Sequence, residues 1–256
     1  MNNTPLHWAV INNDLAEASR LKESLGDIDF VNDAGFTSLD LAFLLGRGEC
    51  IRLLCPKFKP QIKMLLKTDK IVSHLTAGEL LEKTGVAYSP TLHFSSFEDL
   101  ERILHLFPRI LDDSVHALGK DKQKEIFSCE IANVTVVWVN NALGYGVVTN
   151  RNLKKGDFIG EYTGWVRPVS RIMPWVNGYC LQYPTRWGAG RYVIDAKVYG
   201  NITRYINHKD LPNLEGRWAL DRGLMHLLLF AADDIPRGAQ LTLDYGNDYW
   251  ENRVKY

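Results

Sequence analysis

The stretch YVIDAKVYGNITRYINH, Tyr192 to His208, decides how the C-terminal half of this 256-residue chain is read. RYVIDA (191–196) is β-branched and aromatic, which predicts a short strand. VYGNITRYINH (198–208) is the one helix expected in this half. An Asn-His pair closes the block, and KDLPN follows it into a Pro-Asn turn with no metal-ligand spacing. The neighbours on both sides are strands. NVTVVWVNN (133–141) is one, and GYGVVTNRNLKKGDFIGEYTG (144–164) is strand, Lys-Lys-Gly-Asp turn, strand. LMHLLLFAADDIPRGAQLTLDYG (224–246) is two strands around an Asp-Ile-Pro-Arg-Gly turn. Short strands punctuated by Gly and Pro predict a mostly β domain from Cys129 onward.

Bulk composition excludes little and suggests no special partner. Thirty Lys and Arg balance thirty Asp and Glu, so net charge gives no reason to propose nucleic acid or an acidic membrane as a partner. The four cysteines form no Cys-x-x-Cys pair, and a chain of this size needs no staples, so reduced thiols in a reducing compartment are expected. No basic region followed by an apolar one opens the sequence, and no apolar run reaches the roughly 20 residues that span a bilayer. A soluble, intracellular protein is expected.

The N-terminal part repeats. TPLHWA (4–9) recurs as TSLDLA (37–42), an offset of 33 residues, and the register holds through the residues that follow. DAGFT (33–37) supplies a turn before the second copy, and Thr-Pro suits a helix start, where Pro loses no needed hydrogen bond. This period and pattern resemble the ankyrin repeat, a turn followed by two antiparallel helices. Two copies leave an open end, which the downstream segment is expected to cover. IKMLLKTDKIVSHL (62–75), AGELLEKTG (77–85) and SSFEDLERILHLF (95–107) carry helical spacing, with Ser95 and Glu98 as a capping box. The chain is therefore expected to be α+β: ankyrin-like repeats over 1–57, a helical linker over 58–128 and a β-rich domain over 129–256.

Within that last part, GYGVV (144–148), GEYTG (160–164), YVIDAKVYGNITRYINH (192–208) and LTLDYGNDYW (241–250) occur in one order. Together they resemble the SET-domain protein lysine methyltransferases, and the long central block is most similar to the histone-methylating branch. The resemblance implies a fold with a pseudoknot, S-adenosylmethionine as methyl donor, and a protein substrate with an exposed lysine, a histone tail first. It also implies roles for particular residues. Tyr245, in the final Asp-Tyr motif, lies at the reacting centre, with Tyr162 beside it as a second catalytic tyrosine. Tyr162, Leu243, Tyr245 and Tyr249 line the lysine channel. Gly144, Tyr145 and Gly146 match the turn that approaches the methionine part of the donor. Asn207 and His208 hold the donor at its adenine and amino-acid ends, and Tyr192 is a further contact. Trp250 either stacks on adenine or closes the channel lip.

The chemistry asks for such residues. The acceptor nitrogen must be neutral, yet a free lysine has a pKa of about 10.4. A narrow apolar channel strips water from the ammonium and favours the neutral amine. A phenol with a pKa near 10 is a poor base at neutral pH, so positioning of the reacting groups is the first role expected of Tyr245.

Two departures from the family pattern matter. Where the branch usually has Ser-Cys after Asn-His, this chain has Lys209 and Asp210, and ENRVKY (251–256) after Trp250 carries no cysteine. No structural zinc is expected. Two positions before the catalytic tyrosine stands Leu243 rather than Tyr or Phe, which implies transfer of more than one methyl group. Two other functions compete: methylation of a non-histone protein, and a catalytically inactive module that binds peptides. Ankyrin-like repeats beside such a domain are similar to effectors that intracellular bacteria deliver to a host nucleus, with the repeats recruiting a partner; residence in a eukaryotic nucleus or cytoplasm fits equally well.

Overall fold

A computed structural model describes residues 2–25, 28–60, 62–108, 112–128, 130–169, 177–186 and 191–250. The chain begins with two helix pairs, α1 (Pro5–Ile11) with α2 (Leu15–Ser24), and α3 (Ser38–Leu44) with α4 (Gly48–Leu54). The repeated Thr caps the first helix of each pair. Thr4 accepts from the His7 amide, and Thr37 accepts from the Asp40 amide at 3.1 Å while Asp40 Oδ2 accepts from the Thr37 amide. His7 links the copies. Its Nδ1 accepts from the Thr4 amide, so the proton sits on Nε2, which donates to the Phe36 carbonyl at 2.9 Å. Burial lowers the pKa of this ring, in keeping with its neutral role.

The segment that follows departs from expectation. Residues 62–75 form no helix but a hairpin of β1 (Ile62–Leu65) and β2 (Ser73–Leu75), antiparallel with Ile62 opposite Leu75. Ile62 and Met64 are buried while Lys63 and Leu65 are half-buried, an alternation of period two. The apolar run satisfied both periods, and the Thr-Asp-Lys tip breaks it in the middle. The helices α5 (Ala77–Thr84) and α6 (Phe97–Leu106) are present, separated by β3 (Ala87–Tyr88). The cap of α6 is one residue later than expected: Ser96, not Ser95, accepts from the Asp99 amide at 3.1 Å. Two more helices follow, α7 (Asp113–Asp121) and α8 (Gln123–Ser128).

The rest is strands: β4 (Val134–Asn140), β5 (Gly144–Thr149), β6 (Phe158–Tyr162), β7 (Trp165–Pro168), β8 (Cys180–Tyr183), β9 (Tyr192–Asp195), β10 (Tyr199–Gly200), β11 (Asn207–His208), β12 (Leu214–Asp221), β13 (Leu224–Ala231) and β14 (Gln240–Leu243), with a short α9 (Asn247–Trp250) last. The helix expected over 198–208 is instead β10, one 3-10 turn at Ile202–Tyr205 and β11. Asn201 explains the difference. Its side chain accepts from the Thr203 amide and donates to the Glu161 carbonyl, which favours a tight capped turn tied to β6 over a continuous helix.

The strands form four sheets, ordered β11-β14-β5-β4-β1-β2, β10-β3, β12-β13-β6 and β7-β9-β8. β1 pairs in parallel with β4, so the segment read as a linker is part of the large sheet. β13 is buried along its whole length because it lies between β12 and β6. One hydrophobic cluster joins Leu6, Val10, Leu41 and Leu44 of the N-terminal helices to Leu92, Phe94 and Leu100, and on to Val166, Ile194 and Leu224 of the sheets.

The β12–β13 turn secures this seam. Arg222 donates to the Gly35 carbonyl at 2.8 Å and to Asp40 Oδ2 at 2.7 Å, and its guanidinium lies over the Phe36 ring. Removing one member of a mostly buried ion pair strands the other. Arg222→Met is expected to lower the unfolding free energy by about 3 kcal/mol. Chemical denaturation measures it, and an unchanged midpoint would deny the contact any structural role.

Candidate functional site

Two turns and one short strand build the site. Gly144 opens β5 with φ 72°, and the space beside it is empty within 4 Å. Two residues on, Gly146 is crowded: a Cβ there would lie 2.7 Å from both Val139 Cγ2 and Gln240 Nε2, and 3.0 Å from Asn207 Nδ2. That close approach lets Asn207 Nδ2 donate to the Tyr145 carbonyl at 3.1 Å. β11 runs parallel to β14, with Asn207 opposite Thr242 and His208 opposite Leu243. Asn213 ties β14 at the Asn207 end of that pairing. Its Oδ1 accepts from the Thr242 amide at 2.8 Å and its Nδ2 donates to the Gln240 carbonyl at 2.9 Å. The Asn-His pair and the Pro-Asn turn therefore both bind β14.

His208 is oriented by its neighbours. Nδ1 accepts from the Tyr245 amide at 3.2 Å, which leaves the proton on Nε2, facing Asp210 Oδ1 at 3.2 Å. Aromatic rings gather on it. Trp250 lies 4.6 Å away, Tyr245 is nearly parallel to Trp250 with an angle of 11°, and Tyr249 meets Tyr245 edge-on at 4.7 Å.

Two cavities meet here. The larger, about 550 Å³, is lined by Gly144, Tyr145, Asn207, His208 and Trp250 among others. The smaller, about 50 Å³, is lined by Tyr162, Cys180, Leu181, Ile206, Leu229 and Leu243 among others. Gly178, Tyr179, Arg204, Tyr245 and Tyr249 line both, so they form the boundary between a wide chamber and a narrow one.

Apart from Asp244 and Arg204, the narrow chamber is lined by uncharged residues. Tyr162 donates its hydroxyl proton to the Tyr179 carbonyl at 2.9 Å, and Tyr245 donates to the Ile206 carbonyl at 2.6 Å. Burial pushes the pKa of Tyr162 up, with Tyr245 adding to it; burial likewise raises Tyr245, with Tyr249 and then Tyr179 adding to it. Burial, with Asp195 next, lifts the Cys180 thiol to about 11. Both phenols and the thiol are neutral at physiological pH. Arg204 brings the one cation among the described lining residues. Its Nε donates to the Ala196 carbonyl at 2.6 Å, and its guanidinium lies 4.0 Å from the Tyr179 ring centroid and 4.7 Å from that of Tyr205. Asn177 and Arg167 both donate to Asp195 Oδ2 at 2.9 Å, which pins the backbone that carries Tyr179. Behind Tyr162, Glu161 meets His226 Nδ1 at 2.6 Å and accepts from Thr91 at 3.1 Å.

Of the residues picked out from sequence, Gly144, Tyr145, Asn207, His208 and Trp250 line the wide chamber, and Tyr162 and Leu243 the narrow one. Tyr245 and Tyr249 line both. Gly146 acts behind the wall. Tyr192 stands in β9 between Pro168 and Tyr183, packs on the hydrophobic core and lines neither chamber. Tyr179, Arg204 and Tyr205 were missed. Arg204 and Tyr205 sit inside the central block, whereas Tyr179 belongs to no motif. Among the described residues no group of three or more His, Cys, Asp or Glu side chains is placed to hold a metal ion. The ENRVKY tail lies outside the described residues. No described helix is long and apolar enough to cross a membrane.

Residues 144–246, which carry nearly all of this construction, match the family model of the SET domain. Curated relatives that match this part of the chain include proteins named as histone-lysine N-methyltransferases. Over 112 residues the chain is 35% identical to histone-lysine N-methyltransferase Set8 of Drosophila melanogaster, covering 41% of this chain and 16% of that protein. Over 152 residues it is 32% identical to "Probable histone-lysine N-methyltransferase set-23" of Caenorhabditis elegans, covering 56% of this chain and 58% of that protein. Among solved structures, the crystal structure of KRYPTONITE in complex with mCHG DNA and SAH is 33% identical with a TM-score of 0.38, covering 45% of this chain and 24% of that one. The chain thus spans less than two thirds of the length of either curated relative.

The crowding at Gly146 gives a direct test of the cradle. Gly146→Ala is expected to cost roughly 1–3 kcal/mol, as overpacking does, and to displace the Asn207 carboxamide. Denaturation melts together with the Asn207 side-chain NMR resonances would report both effects; a variant with wild-type stability and shifts would mean the cradle is looser than described.

Proposed function

We propose that this chain is a protein-lysine N-methyltransferase that uses S-adenosylmethionine and acts on a histone lysine. The observation that carries the reading is the meeting of a wide chamber and a narrow aromatic one at Tyr179, Tyr245 and Tyr249. The donor would occupy the wide chamber, where Gly144 leaves its backbone open and Asn207, His208 and Trp250 supply polar and aromatic walls. When bound, S-adenosylmethionine supplies a methyl group on a sulfonium cation.

The residues of the narrow chamber handle the acceptor. Both phenol protons are given to backbone carbonyls, which turns each phenol oxygen into an available acceptor. Tyr162 and Tyr245 thus orient an incoming amine through its N–H groups. Their raised pKa values exclude them as bases near neutrality, so neither phenol takes the lysine proton. Leu229, Leu181 and Ile206 exclude water and penalise the ammonium form.

We further infer that the helix pairs of residues 1–57 are ankyrin-type repeats that recruit the substrate or a partner. The equivalent Thr caps at 33-residue spacing and the bond from His7 to the next copy support this. Residues 58–128 join them to the methyltransferase unit of 129–256. Leu243 places no hydroxyl in the narrow chamber, which favours addition of more than one methyl group.

A methyl-transfer assay on core histones, with S-adenosylhomocysteine titration alongside, tests the reading. Tyr245→Phe is expected to lower kcat about 100-fold through lost alignment while S-adenosylhomocysteine still binds. Absence of binding heat for the wild type would end the donor assignment, and a wild-type rate in Tyr245→Phe would end the role given to the hydroxyl. Mass spectrometry of the product under enzyme excess is expected to show di- or trimethyllysine; monomethyllysine alone would contradict the reading of Leu243.

A further inference from the structure

The seam between the N-terminal helices and the sheets encloses a cavity of about 420 Å³ that takes no part in the site above. Its walls include Phe43, Arg47, Ile51, Tyr88, His93 and Tyr199. The α3–α4 turn closes against the imidazole of His93. Gly46 has φ 64°, and a Cβ there would come within 2.9 Å of His93 Cε1. On its other side the His93 ring stacks on Tyr199, with centroids 4.2 Å apart and an angle of 22°. Backbone bonds hold the walls in place: the His93 amide donates to the Gly164 carbonyl at 2.9 Å, and the Phe94 amide to the Leu44 carbonyl at 2.8 Å.

Arg47 is the unusual member. Its guanidinium makes one hydrogen bond, from Nη2 to the Ile11 carbonyl at 3.0 Å, and its buried Nε has no partner. Arg222 in the same seam pairs with Asp40 and Arg167 pairs with Asp195, whereas Arg204 gives its hydrogen bonds to carbonyls. Arg47 pairs with none among the described residues. Its charge is felt nearby: burial, and then Arg47, hold the His93 pKa down at about 4, so the ring is neutral near pH 7. The cavity therefore has one guanidinium with no carboxylate in ion-pair distance among the described residues, in walls that are otherwise aromatic and aliphatic apart from Ser89 and Ser95.

We propose that this cavity is a second ligand site, for a small monocarboxylate with an aromatic or apolar body. The carboxylate would neutralise Arg47 through charge-assisted hydrogen bonds, and the body would lie among the apolar and aromatic walls. The size suits a small molecule rather than a peptide, since such sites run to roughly 300–1,000 Å³. A phosphate dianion has no apolar body for Phe43, Ile51 and the aromatic walls to cover. A cation would be repelled, and a neutral hydrocarbon would leave the charge unpaired.

Titration of the isotope-labelled full chain with benzoate, followed by NMR at fixed pH, tests the site independently of any methyl transfer. Acetate and inorganic phosphate are the comparison arms. Benzoate is expected to shift the His93 ring and Arg47 Nε resonances saturably at millimolar concentration or below, acetate more weakly, and phosphate least. Arg47→Leu is expected to weaken benzoate about tenfold or more, the value of a lost charge-assisted bond, with β13 amide shifts unchanged. Should that variant fail to fold, Ile51→Phe narrows the cavity, keeps the charge and must also weaken benzoate. No saturable shift, phosphate binding more tightly than benzoate, or benzoate affinity that survives the folded variant would overturn the proposal.

Discussion

The carboxamide of Asn207 and the two-residue strand that carries it hold together three stretches of chain distant in sequence. Nδ2 reaches the Tyr145 carbonyl in β5, while the backbone pairs in parallel with β14 at Thr242 and Leu243. A parallel pair of two residues has little stability of its own. It persists because Asn207 ties it to β5 and Asn213 ties the following loop to β14, and because Gly146 leaves room for the carboxamide. Everything that defines the wide chamber follows. His208 is placed to accept from the Tyr245 amide, and Tyr245 is thereby set between the two cavities.

The same economy governs the seam with the N-terminal helices. Two helix pairs alone would leave one apolar face open. Here Leu92, Phe94, Phe97 and Leu100 share their burial with both the helices and the sheets, so the three sequence segments have no separate cores at this point. Polar contacts supply register rather than bulk stability. Thr91 reaches Glu161, and Ser89 accepts from Thr163 at 2.7 Å, each placing the 87–95 segment against the strand that carries Tyr162. A buried carboxylate such as Glu161 is tolerated only because His226 and Thr91 both face it.

What could be read from the sequence follows the physics of each element. Glycines at 144 and 146 and the Asn-His pair were legible because backbone geometry demands those residue types, and motifs record such demands. The hairpin at 62–75 was not legible, since Ile, Met, Leu and Val in a short run satisfy a helical period and an alternating one equally. Only the parallel partner Val136, more than seventy residues on, decides between them. The 3-10 turn at Ile202–Tyr205 was hidden for a related reason: its cap, Asn201, competes with helix only when Glu161 offers a carbonyl. Tyr179 reaches the site through a loop fixed by the Arg167–Asp195–Asn177 cluster, a contact set with no local signal. Tyr192 shows the converse, a residue inside a recognised block whose side chain packs on the core.

On the proposed function, the two tyrosines divide the work by where their protons go. A phenol that donates to a neighbouring amine would compete for the lone pair that must attack. Because Tyr162 and Tyr245 spend their protons on the Tyr179 and Ile206 carbonyls, their oxygens meet the amine as acceptors and leave its lone pair free. This requires both carbonyls to stay put, and each belongs to a segment with its own anchor. Tyr179 follows Asn177, held by Asp195, and Ile206 precedes Asn207, held by Tyr145. The orientation of the acceptor in the narrow chamber thus rests on backbone oxygens, set in turn by buried side chains that never touch it.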